Sequence, residues 1–112
     1  MDCIFCKIVE GSIPSDRVYE DEHVLAFRDI QPQAPTHVLV IPRVHVASMW
    51  ELEDRDLAGR LLYAAGEIAR KEGLSEGWRL IANTRDDGGQ EVPHLHLHVL
   101  GGKRLGRMLP GD

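Results

Sequence analysis

The decapeptide "PHLHLHVLGG" near the end of the chain places His94, His96 and His98 at alternate positions, with Leu95, Leu97 and Val99 interleaved. A β-strand sends successive side chains to opposite faces, so this spacing aims three imidazoles one way and three apolar side chains the other. On a helix the same histidines would fan out by about 100° per residue and form no cluster. The pattern predicts a strand with an apolar face in the core and an imidazole face directed elsewhere.

Upstream segments show what such a strand can pair with. "RVYEDEHVLAFRDI" reads as two short strands around the turn-prone "EDEH", with Val18, Val24, Ala26 and Phe27 directed inward. "THVLVIP" predicts a third strand at about residues 37 to 41, stopped by Pro42, which cannot donate to a sheet ladder. Ser48 and Glu51 have capping-box spacing, which predicts a short helical turn at "SMWEL". A longer helix follows in "EDRDLAGRLLYAAGEIARKEGL". There Leu57, Leu61, Leu62, Ala65, Ile68 and Ala69 recur at helical spacing, acids open the segment, Arg70 and Lys71 close it, and Gly73 stops it. "GWRLIANT" and "HLHLHVL" then supply two strands joined by "RDDGGQEVP". The expected fold class is α+β, an antiparallel sheet with one long helix and a short helical turn, in a single domain over residues 1–112.

Composition narrows the function classes. A chain of 112 residues with 43% hydrophobic content can build one core, and at this size pairing with a second copy often helps, so a homodimer is expected. Thirteen basic against 18 acidic residues, a net charge of -5, argue against a nucleic-acid-binding surface but leave room for a single nucleotide. No run of 18 apolar residues appears and "MDCIFCKIVEGS" lacks a basic leader, so no membrane span or signal peptide is expected and the location read is cytoplasmic. In that reducing compartment Cys3 and Cys6 read as thiols or metal ligands rather than a disulfide.

Several readings of the histidine row compete. Residues two apart on one strand face are about 7 Å apart, which strains three successive imidazoles as tetrahedral zinc ligands at about 2.0 Å, although two of them can share a metal. Imidazole titrates near pH 6.5, so one ring can serve as a neutral nucleophile while its neighbour donates a proton or orients it. In the loop before the row, Gly88 and Gly89 allow backbone N–H groups to approach a phosphate, and Gln90 offers a neutral donor. A plain turn is the alternative for the glycine pair.

Taken together, "HLHLHVL", "FRDIQPQAPTHVLVIPRVH", "IAN", "GGQ" and the trailing "GG" resemble the histidine triad (HIT) superfamily, in its Hint branch, from "IFCKI" to "LPG". The resemblance implies a homodimeric HIT-like fold. It further implies a hydrolase that cleaves the P–N bond of purine nucleoside 5'-phosphoramidates, such as adenosine 5'-phosphoramidate or adenylylated lysine, through a nucleotidyl-histidine. By motif position His96 is the implied nucleophile, His98 contacts the phosphate and assists the leaving amine, and His37 orients the nucleophile's ring. Asp29 matches the ribose position; Phe5, Ile8, Phe27 and Ile30 match the purine walls; Asn83, Gly89 and Gln90 match the phosphate side. Plain core packing is the rival role for the four apolar residues, and a turn carboxylate for Asp29.

Some relatives bind structural zinc through positions that correspond to Cys3, Cys6, His45 and His94; two free, half-buried thiols are the alternative. A thioredoxin-like role is weak, because only two residues precede Cys3. Glu91 stands where some relatives carry serine, and "KRLGRMLPGD" lacks a tryptophan found in others, with Met108 or Leu109 in that region. His23 reads as a solvated turn residue. A dinucleoside polyphosphate hydrolase of the Fhit branch and a non-catalytic nucleotide sensor are the competing functions.

Overall fold

The structure, a computed structural model, describes residues 2–109. Its elements are α1 (Ile4–Glu10), β1 (Arg17–Glu20), β2 (Val24–Arg28), β3 (Thr36–Pro42), α2 (Arg55–Lys71), β4 (Trp78–Ile81) and β5 (Leu97–Gly101). The five strands form one antiparallel sheet in the order β1-β2-β3-β5-β4. The α+β class, the antiparallel sheet and the long helix agree with the sequence reading.

Both faces of the sheet are covered, and strand parity decides which residue goes where. Val24, Ala26, Val38, Val40, Leu97 and Val99 face α2 and pack with Leu57, Leu61, Ala64, Ala65 and Ile68. Leu25, Phe27, Leu39 and Ile41 face the other way and pack against Cys3, Phe5 and Ile8 of the N-terminal segment. That double burial explains why every residue of β3 is buried and why it reads as a continuous apolar run. Leu62 departs from its expected core position: it is 58% exposed, because the buried stripe of α2 runs through Leu61, Ala64, Ala65 and Ile68.

Helix α1 is absent from the sequence reading. Its N-cap is Cys3, whose sulfur accepts from the Cys6 N–H, and Gly11 ends it in the left-handed conformation with its N–H on Ile8 O. The expected helical turn at "SMWEL" is a plain turn. Ser48 Oγ accepts from the Trp50 N–H at 3.1 Å and donates to the Glu51 carboxylate, so Glu51 does not reach back to cap a helix.

The histidine strand also differs from expectation. Regular pairing starts only at Leu97, so His94 and His96 lie in the irregular approach to β5, while His98 is inside it. The alternation persists across the junction nonetheless: Leu95, Leu97 and Val99 enter the α2 core, and the three histidines face α1. The imidazole face is therefore packed under a helix, with His94 and His96 buried.

Candidate active site

Phe5, on α1, is the wedge that separates two histidine environments. Its ring meets His94 and His96 edge-on, with centroids 5.8 Å and 5.1 Å away. On one side of it lies a cysteine–histidine cluster, on the other a cleft of about 520 Å³.

In the cleft, backbone groups determine which nitrogen of each ring carries hydrogen. His96 Nδ1 lies 2.8 Å from the carbonyl oxygen of His94, so Nδ1 must hold the proton and donate. His96 Nε2 is left with its lone pair and no partner among the described residues. On β3, the Gln33 N–H donates to His37 Nδ1 at 3.0 Å, which makes His37 Nε2 the protonated nitrogen. That nitrogen sits 2.9 Å from His98 Nδ1, so His98 accepts there and carries its own hydrogen on Nε2. The row thus presents a bare imidazole nitrogen and, on the neighbouring ring, an N–H.

The register explains the second pair. Leu39 lies opposite His98, so His37, two residues earlier on the same face, is its diagonal neighbour. His37 accordingly bonds to His98 and not to His96, which corrects the expectation that it orients the nucleophile's ring. Asp29 completes the chain, with Oδ2 3.5 Å from His37 Nε2 and Oδ1 accepting the Gln31 N–H at 2.8 Å.

Burial disfavours the charged forms of His98 and His37. It pushes His98 down to about 4, with the adjacent His96 and His37 lowering it further and Asp29 opposing. His37 moves down for the same first cause, again against the pull of Asp29.

Phe5, Ile8, Phe27, Asp29, Ile30, Asn83 and Gly89 all line the cleft with His37, His96 and His98. Phe5, Ile8 and Phe27 are core residues as well, so packing and lining coexist in them, whereas Ile30 is 94% exposed at the margin. Gln90 is not in the wall. Its amide donates to Ala47 O and Val92 O and its oxygen accepts from the Arg85 N–H, so it shapes the loop instead of facing a phosphate. Gly88 and Gly89 are likewise turn glycines. A Cβ on Gly88 would meet the Thr84 backbone at 2.5 Å, and Gly89 has φ +74 with its N–H bonded to Asp86 O.

Lining residues that the sequence reading did not name include Ser15, Arg28, Leu39 and Val92, while Glu91, to which it gave no role, also lies in the wall. Ser15 Oγ is the single buried side-chain polar atom without a hydrogen-bond partner among the described residues. Met108 and Leu109 are 84% and 74% exposed, and His23 is exposed at the β1–β2 turn, as expected.

The second environment gathers Cys3, Cys6, His45 and His94 within 4.8 Å of one another. Cys3 Sγ is 3.3 Å and Cys6 Sγ 3.6 Å from His94 Nδ1, and Cys6 Sγ is 3.5 Å from His45 Nδ1. Tetrahedral zinc with sulfur at about 2.3 Å and nitrogen at about 2.05 Å separates S from N by about 3.6 Å. His94 Nε2 lies 3.0 Å from Pro42 O and donates there, so its Nδ1 lone pair is directed at the thiols. The donor set fits a closed Cys₂His₂ zinc site.

Comparison with known proteins finds relatives along nearly the whole chain. Over 111 residues the chain is 50% identical to the purine nucleoside phosphoramidase of Escherichia coli (strain K12), covering 96% of this chain and 93% of that protein. It is 48% identical over 108 residues to a 14 kDa zinc-binding protein of Brassica juncea, with 93% and 96% covered. A histidine triad protein from Clostridium difficile superposes with a TM-score of 0.92 at 47% identity, covering 97% of each chain. The HIT domain profile matches residues 10–105, a span that holds His37, His94, His96 and His98, and the chain belongs to the HIT domain family.

Proposed function

We propose that this protein hydrolyses the P–N bond of purine nucleoside 5'-phosphoramidates, with His96 as nucleophile. The observation that carries this reading is the bare Nε2 of His96 in the cleft, beside the Nε2–H of His98. In the first step His96 Nε2 bonds to phosphorus as the bond to the amine breaks, and the amine leaves with a proton drawn from solvent water, which regains one when the second water attacks. Water then attacks the nucleotidyl-histidine and frees the ring. The Nε2–H of His98, kept in place by His37, donates to a phosphoryl oxygen as charge builds on it. Asp29 offers oxygens to the ribose hydroxyls, Phe5, Ile8, Phe27 and Ile30 flank the purine, and Asn83 and Gly89 lie on the phosphate side. A relative half identical to this chain is named a purine nucleoside phosphoramidase, which favours this chemistry over the dinucleotide hydrolase.

The test is kcat/KM for adenosine 5'-phosphoramidate beside diadenosine triphosphate, in wild type and His96→Ala. A phosphoramidate preference that vanishes in the variant supports the proposal. Dinucleotide preference moves the protein to the Fhit-type reaction, and binding without His96-dependent turnover leaves a nucleotide sensor.

Zinc bound by Cys3, Cys6, His45 and His94 would have a structural role, tying α1 to the segment that carries the nucleophile. Four protein ligands leave no position for water or substrate. Reduced cysteines for this site accord with a cytoplasmic location. The partner in a homodimer would meet β4, an edge strand whose Trp78 and Leu80 remain 39% and 37% exposed, next to α2 with its exposed Leu62 and Tyr63.

A further inference from the structure

The charged residues that line the cleft are Arg28, Asp29 and Glu91. Two of them are engaged. Arg28 donates from both terminal nitrogens to Glu72 at 3.0 Å and also pairs with Asp16, while Asp29 is tied to Gln31 and His37. Glu91 is exposed, and its carboxylate has no hydrogen bond or ion pair among the described residues. Arg85, a cation on the same loop, is paired with Glu51.

The backbone around Glu91 is held in place. Gln90, immediately before it, bonds through its side chain to the Arg85 N–H, Ala47 O and Val92 O, which ties the chain on either side of Glu91 to neighbouring backbone. Glu91 also lines an adjoining depression with Ala47, Ser48 and Pro93, none of which touches the cleft. It therefore stands on the ridge where the two meet, on the stretch of chain that leads into His96.

A carboxylate that lines the cleft repels a phosphoryl anion bound there, and no free side-chain cation among the described lining residues offsets it. A substrate reverses that term if the group beyond its P–N bond is positively charged. We propose that Glu91 is a specificity-determining residue that selects nucleoside phosphoramidates whose amine carries a second, cationic group. This inference rests on the phosphoramidase reading and names the amine class for it. Exposed charge pairs of this kind are worth roughly a fivefold preference at low salt and less at high salt.

Three adenosine 5'-phosphoramidates of matched length test it, made from 1,4-diaminobutane, butylamine and 4-aminobutanoate. In wild type kcat/KM should fall in that order, with first and last differing by roughly tenfold. Glu91→Gln should bring the ratio towards one, Glu91→Lys should invert it, and 0.5 M salt should compress it in wild type. Turnover of all three with the same ratio in wild type and in both variants overturns the inference while leaving the phosphoramidase reading intact. No turnover of any of them by the wild type removes that reading, and this inference with it.

Discussion

The imidazole of His96 hydrogen-bonds through Nδ1 to the carbonyl oxygen of His94, two residues earlier, at 2.8 Å. The peptide that aims the proposed nucleophile thus belongs to the residue whose own ring faces Cys3 and Cys6. The ring's tautomer follows from the backbone path between residues 94 and 96.

At neutral pH, nitrogen-detected NMR of ¹⁵N-histidine protein should show His96 protonated on Nδ1 and His98 on Nε2. An Nε2–H tautomer at His96 would leave it without a nucleophilic nitrogen in the cleft and would defeat the mechanism. His96→Ala should lower kcat by at least roughly 10³-fold with the fold unchanged, as loss of a covalent nucleophile does elsewhere.

His37→Ala should act on kcat through His98, because its contact is with that ring. A loss of about 10²-fold in kcat with little change in KM is expected. A rise in KM alone, with kcat retained, would contradict the positioning role.

His98 has a folded-state pKa of about 4 against an unfolded value near 6.5, so the unfolded chain binds the extra proton first. Its contribution to stability is complete above pH 6.5 and is lost as pH falls from there towards 4. Denaturant midpoints should decline over that window, and His98→Gln should flatten the decline. An equally steep decline in the variant would assign it to other groups.

Protein purified under reducing conditions should hold one zinc per chain. Its removal by a chelator should lower Tm by at least roughly 5 °C, and Cys3→Ser should do the same without chelator. Full stability in metal-free protein would show that the two thiols and two imidazoles suffice without an ion.

Ser15→Ala removes a buried hydroxyl that has no partner among the described residues. Its stability should be unchanged or higher by up to about 1 kcal/mol in urea unfolding. A loss beyond that would mean the hydroxyl has a partner in solution.

The β-strands and α2 were legible because their signals are local: alternation over "RVYEDEHVLAFRDI", the β-rich run "THVLVIP", and a capped stripe ending before Gly73. Helix α1 was not, since its seven residues are short for any periodic signal and its N-cap is cysteine rather than Ser, Thr, Asp or Asn. The phase of the histidine row was correct, because Leu95, Leu97 and Val99 pin it to the α2 core, but its regularity was overestimated. Which histidine His37 touches depended on strand register, and the work of Gln90 on backbone atoms 43 residues away. Neither can be read from spacing.

Strand β5 is made after the other four strands, yet it is an inner strand, and β4 pairs with it alone. The contact between Cys3 and His94 likewise closes a loop of 91 residues. During synthesis β4 must wait without a sheet neighbour, and α1 lacks its contacts with His94 and His96 until that later segment has been made. Such distant closure is slow compared with local helix formation. The cleft is therefore completed only when α1 meets the histidine row, and activity of the proposed kind in a nascent or truncated chain would report that meeting.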